Sequence, residues 1–158
     1  MARKASTGFT LVELLIVIVI ISMLAALILP ALTRALCLGR QGAAKKLIER
    51  IAISTHNYKK DLGNFPPNGS GSSTLATALK TIGKGKESYL EFQPDELDGA
   101  GNIVSPVHPG IDILYYKNHR INFPANQSDA SAHNKQSFDL WCKNCNNVVD
   151  GINNWGGG

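Results

Sequence analysis

Few side chains in this 158-residue sequence are spaced for chemistry, and two that are belong to the C-x-x-C formed by Cys142 and Cys145. Such a pair serves zinc binding or dithiol redox exchange. A tetrahedral zinc site needs two more soft or imidazole ligands, normally from a second paired motif. The histidines His56, His108, His119 and His133 are scattered instead. A thioredoxin-like dithiol needs a strand–helix setting in a βαβ unit, and no such unit is visible around residue 142. No nucleophile–base grouping stands out either. The remaining oddity is a carboxylate: Glu13 interrupts the stretch `GFTLVELLIVIVI` near the start of a long apolar run.

That run extends over residues 9–29, broken only by Thr10, Glu13 and Ser22. At ~1.5 Å rise per residue it reaches roughly 30 Å, the thickness of a bilayer core. A charge at bilayer centre costs ~2.5–3.5 kcal/mol on insertion scales, and less toward an end. Charge is distributed unevenly along the rest. Residues 1–8 carry +2, residues 9–29 carry −1 from Glu13, residues 30–61 carry +5 and residues 62–158 carry −2, for a net +4. A basic neck with a slightly acidic head is unlike a uniformly basic nucleic-acid binder, so no nucleic-acid partner is expected. Three cysteines are too few for a disulfide framework.

A secretory signal peptide fits this amino terminus poorly, because the apolar run is longer than an ordinary h-region and contains Glu13. An ordinary single-pass anchor, with Glu13 tolerated near the interface, is the plainer alternative. The stretch `GFTLVE` followed by about twenty apolar residues resembles the start of type IV pilins and of the pseudopilins of type II secretion. The resemblance implies cleavage after Gly8 by a prepilin peptidase and methylation of the new amino-terminal Phe9. It also implies an assembly role for Glu13, paired in the filament with a neighbour's amino terminus. An unpaired carboxylate in hydrocarbon is costly, and a facing amine offsets that cost. Pro30 matches a proline of many members and is expected to soften the helix. Arg34 and Arg40 beyond the span balance Arg3 and Lys4 before it, so charge alone leaves orientation open. The resemblance implies a cytoplasmic leader and a periplasmic head.

Beyond Pro30, Leu32, Leu36, Leu47, Ile51, Tyr58 and Leu62 recur at helical spacing. One helix is expected from about Phe9 to Asp61, with Gly63 and Pro66–Pro67 ending it. The segment after it resembles the Gly-x-Tyr-Pro stretch of major pseudopilins, with Phe65 in place of tyrosine. `SSTLATALKTIG` predicts a short helix capped by Ser73, with Leu75, Leu79 and Ile82 on one face and Gly83 past its end. Residues 111–116, 120–123 and 137–142 are β-rich and predict a small antiparallel sheet laid against the helix. Residues 94–110 read only as loop. The expected class is α+β, a type IV pilin-like fold. Residues 1–8 are a leader, 9–29 a membrane and assembly helix, 30–62 an amphipathic stalk and 63–158 the head.

The tail `SFDLWCKNCNNVVDGINNW` resembles the major pseudopilins at the Phe138–Trp141 strand and at the ending from Asp150 to Trp155. Between these points the family usually carries a calcium loop. Here Asp150 is the only carboxylate between Cys142 and Trp155, with Asn144, Asn146 and Asn147 as further oxygen donors. Calcium takes six to eight oxygens, so Asp150 stands as a candidate ligand within a thin donor set, and no other cofactor is implied. Asp139 is expected to point from its strand to solvent. In an oxidising periplasm a Cys142–Cys145 disulfide is the expected replacement for the ion, leaving Cys37 as the odd thiol.

The sequence thus reads as a non-enzymatic subunit of a pseudopilus that drives type II secretion. It is expected in the inner membrane as a single-pass protein, and in a homo-oligomeric filament after assembly. Its expected partners are minor pseudopilins or pilins, the prepilin peptidase and an inner-membrane assembly platform. A type IV pilin forming a surface fibre is the near alternative, and a membrane-anchored periplasmic enzyme the distant one.

Overall fold

A computed structural model describes residues 9–69, 71–81, 88–118, 133–134, 137–148 and 151–155. It divides into two compact units, Met1–Leu38 and Gly39–Gly158. Helix α1, Leu11–Leu62, supplies the described helical residues of the first unit and the first 24 residues of the second. Helix formation begins two residues later than expected because Thr10 is the N-cap, its carbonyl accepting the Leu14 amide at 3.2 Å. Pro30 lies inside the helix, and the Thr33 hydroxyl donates to its carbonyl at 3.0 Å. At the far end Gly63, at φ +84°, donates its amide to Lys59 at 2.7 Å, a left-handed C-terminal stop.

In the second unit the buried positions of α1 are Ala44, Leu47, Ile48, Ile51, Ser54 and Thr55. Their three-and-four spacing is one helical face. Leu47 and Ile51 were expected on this face, whereas Leu62 falls off it and is exposed, and Leu32 and Leu36 of the first unit are exposed as well. Onto the buried face pack Phe65, Leu75, Leu79, Ile103, Val107, Leu114, Phe138, Leu140 and Ile152, forming a single apolar core.

Among the described residues the sheet has three antiparallel strands in the order β1 (Tyr115–Asn118), β2 (Phe138–Cys142) and β3 (Ile152–Asn153). Tyr115 opposes Trp141, and their rings stack at 5.6 Å. The first strand therefore starts later than expected. Ile113 forms only an isolated bridge to Val104, and Asp112 receives the Lys143 ammonium. The expected strand at residues 120–123 lies outside the described residues. Strand β3 was not anticipated; two residues are too few to show a period.

The short helix is α2, Ser73–Lys80, with Leu75 and Leu79 buried as expected. Ser73 is its first residue and not its cap. The carboxamide oxygen of Asn102 caps it instead, accepting the amides of Ser72 at 3.2 Å and Ser73 at 3.1 Å. The Ser72 hydroxyl accepts the Ile103 amide at 2.8 Å, so the helix start and the 98–103 turn hold each other. Residues 94–110 open with a 3-10 turn, Pro94–Glu96, in which Glu96 caps the Gln93 amide and pairs with Arg50 of α1.

Candidate functional site

The first unit presents a helix whose residues are exposed from Leu11 to Leu36. Phe9 is 73% exposed and Leu29 still 61% exposed. A contiguous apolar surface of this size marks a lipid-facing or protein-facing element. By length and composition α1 suffices to cross a membrane. Ser22, the polar side chain in the middle of the run, returns its hydroxyl proton to the Ile18 carbonyl at 2.7 Å. That bond satisfies its donor where no water is present.

Glu13 lies in the first turn of α1. Its Oε2 accepts the Thr10 amide at 2.9 Å and the Thr10 hydroxyl at 2.8 Å. In return the Thr10 hydroxyl oxygen faces the Glu13 amide at 3.3 Å. This is a capping box, and its T-x-x-E signature was legible in `TLVE`. The carboxylate therefore has local donors at the entry to the apolar stretch, and the helix macrodipole favours an anion there. Phe9, the residue to which the resemblance assigns cleavage and methylation, lies four residues before Glu13 on this exposed end. Gly8 lies outside the described residues.

The basic neck is only partly engaged. Arg50 pairs with Glu96, and the Lys59 ammonium sits 4.3 Å above the Phe65 ring. Arg34, Arg40, Lys45, Lys46 and Lys60 are exposed.

At the tail the structure revises three expectations. Cys142 is a free, buried thiol, so the Cys142–Cys145 disulfide is not formed, and the odd thiol is Cys142 rather than Cys37. The reason lies in strand periodicity: Phe138, Leu140 and Cys142 alternate onto one face of β2, and all three are fully buried. Burial pushes the Cys142 thiol pKa up, against a smaller opposing effect of its hydrogen bond with Ser105. Asp139 is not solvent-facing but 3% exposed. Its carboxylate accepts the His133 amide at 3.0 Å and the Asn134 amide at 2.9 Å. Asp150, the candidate calcium ligand, lies outside the described residues.

The three described histidines do not converge. His56 packs its ring against Phe65 and Phe138, and His108 reaches the Asn144 carbonyl at 3.0 Å. His133 stacks on Trp155 at 4.1 Å, and His119 lies outside the described residues. Among the described residues no three of His, Cys, Asp and Glu are grouped to hold a metal ion.

The prokaryotic N-terminal methylation motif matches residues 3–29. The type II secretion system core protein G of Pseudomonas aeruginosa is 32% identical over 116 residues, covering 70% of this chain and 79% of that protein. The core protein G of Klebsiella michiganensis is 31% identical over 125 residues, covering 72% and 84%. A fimbrial protein of Moraxella nonliquefaciens is 36% identical over 98 residues, covering 61% and 62%. No solved structure matches the chain significantly.

Proposed function

This chain belongs to the type II secretion system core protein G family, the major pseudopilins, and from that premise we propose how its residues serve a pseudopilus. Residues 1–8 are removed after Gly8 and Phe9 is methylated by the prepilin peptidase. The apolar helix of residues 9–29 then holds the subunit in the inner membrane, with the head on the periplasmic side. Filament growth transfers that helix from lipid to a bundle of identical helices, drawing on the assembly platform and on minor pseudopilins. Glu13 selects the register by meeting the Phe9 amine of a neighbouring subunit. The work is mechanical, and no residue acts on a substrate.

The observation that carries this reading is the placement of Glu13 one turn from Phe9, at the start of a helix exposed on every side from Leu11 to Leu36. A side chain that only anchored the helix would have no need of charge there. Mass spectrometry of the membrane-extracted protein tests the processing step. A methylated chain beginning at Phe9 is expected, and an intact Met1 or any other start contradicts the reading.

The relation to a fimbrial protein favours one second reading, a surface fibre. Deletion of the gene separates the two. Loss of protein export with surface fibres unaltered supports the pseudopilus, and loss of fibres with export intact supports the pilus.

A further inference from the structure

In the second unit a groove of about 500 Å³ lies between α1 and the segment of residues 95–109. Leu47 of α1 and Val104, Pro106 and Pro109 of the facing segment supply its apolar lining. Its charges are Lys46 and Arg50 on the helix side, and Asp95 and Glu96 on the other. Arg50 and Glu96 are committed to each other, and Glu96 also takes the Gln93 amide. Lys46 and Asp95 are exposed and, among the described residues, unpaired. The Nε of Arg50 is buried and has no hydrogen-bond acceptor among the described residues. A buried donor left unmet is costly. The groove therefore suits an occupant with an apolar side chain, a carboxylate for Lys46 and Arg50, and a cation for Asp95.

That set of groups stands on the surface of the same chain. Lys45, Glu49 and Ile53 follow one another at intervals of four along α1, and all three are exposed, Ile53 by 63%. Residues four apart form a ridge on a helix, and such ridges pack into the grooves of a neighbour. This ridge carries a cation, a carboxylate and an apolar side chain in that order. Glu49 has no ion pair among the described residues, although Lys45 and Lys46 lie within one turn of it. A rigid helix cannot turn its own ridge into its own groove. A second copy must supply it.

We infer that the Lys45–Glu49–Ile53 ridge of one subunit seats in this groove of the next. Glu49 meets Lys46 and Arg50, Lys45 meets Asp95, and Ile53 covers the apolar lining. Ridge and groove are different surfaces, so the contact is heterologous, and a heterologous contact that does not close builds an open filament. The inference rests on the proposed filament and adds to it a contact between heads.

Lys46→Glu and Glu49→Lys are made singly in the full-length protein and are then co-expressed. Sheared filaments are measured against total processed subunit. Each variant alone is expected to lower the filament fraction about tenfold, because like charges replace a pair across the interface. Co-expressed, each variant's groove meets the other's ridge with opposite charge, and filaments should return to near the wild-type yield. Pairing within one helix gives no such rescue, because neither chain carries both changes. Rescue also excludes misfolding of either head. Wild-type yield from either variant alone overturns the inference. Loss in both without rescue on co-expression overturns it as well, and gives the groove to a different protein. A wild type that forms no filaments overturns the proposed function together with the inference, whereas the other two failures leave the proposed function standing.

Discussion

Thr10 and Glu13 cap one another: the carboxylate takes the Thr10 amide and hydroxyl on a single oxygen, and the hydroxyl oxygen faces the Glu13 amide. The acid at the start of the apolar helix completes the first helical turn in the lone subunit, and the proposed function gives it a second, separable role, a negative charge for a partner amine in the assembly. Capping needs only an acceptor oxygen, whereas pairing needs the charge.

Removing the cap should loosen the first turn without touching the charge. Thr10→Ala is expected to weaken the helix start by ~1 kcal/mol. Amide exchange at residues 11–14, measured by NMR in micelles, should accelerate about fivefold, and Thr10→Ser should restore protection. Unchanged exchange in Thr10→Ala would show that the capping box does not hold the turn.

Asn118 ties the segment after α1 to the sheet. Its carboxamide donates to the Pro66 carbonyl at 2.9 Å, and its backbone carbonyl accepts the Asn68 side chain at 2.8 Å. Tyr116 sends its hydroxyl to the same Pro66 carbonyl at 2.9 Å. Asn118 is 2% exposed, so Asn118→Ala is expected to cost about 1–3 kcal/mol. Urea unfolding of the full-length protein followed by tryptophan fluorescence measures it; a midpoint equal to wild type would remove Asn118 from the account.

Cys142 should resist modification. Burial both blocks access and raises its pKa, leaving little thiolate at neutral pH. In non-reducing conditions a maleimide should label Cys142 only after denaturation, as read by peptide mapping. Rapid labelling of Cys142 in the native protein, or its recovery in a disulfide-linked peptide, would contradict the structure.

Asp98 gives the head a response to acid. Its carboxylate accepts the amides of Ala100 at 2.9 Å and Asn102 at 2.7 Å and the Asn102 side chain at 3.1 Å. The Asn102 side chain and then its backbone are the main causes that lower the Asp98 pKa. A lowered folded pKa contributes stability that is fully present above the ordinary value of about 3.9 and is lost as pH falls through the folded value. The turn, and with it the Asn102 cap on α2, should hold from neutral pH to about pH 5 and loosen in stronger acid. Amide protection at Ala100 and Asn102 across that range reads the effect, which Asp98→Asn should abolish. Protection that stays flat from about pH 5 to 2 in wild type would rule it out.

The sequence exposed the apolar helix because twenty-one residues of one character leave little else to build, and Gly63 with two prolines marked its end. Two further local signals are present in it. `TLVE` spells the capping box, and the alternation of Phe138, Leu140 and Cys142 places that cysteine in the core. The spacing of a C-x-x-C says nothing about which face of a strand its first member occupies. Other features depend on partners distant in the chain. Asn102 caps a helix that starts 29 residues earlier, and Asp139 is buried because the amides of residues 133 and 134 fold over it. No local pattern encodes those contacts. They follow from the packing of the core.

The central claim is that the charge of Glu13, beyond its capping oxygen, drives assembly, and Glu13→Gln isolates it. Glutamine still serves a capping box, so insertion, cleavage after Gly8 and the first helical turn should persist. Sheared filaments are quantified against total membrane-extracted subunit, with mass spectrometry confirming a start at Phe9 in both proteins. The account predicts that the filament fraction falls at least about tenfold, the change that loss of ~1.4 kcal/mol of pairing represents. Filaments of Glu13→Gln at wild-type yield, from fully processed subunits, would contradict it.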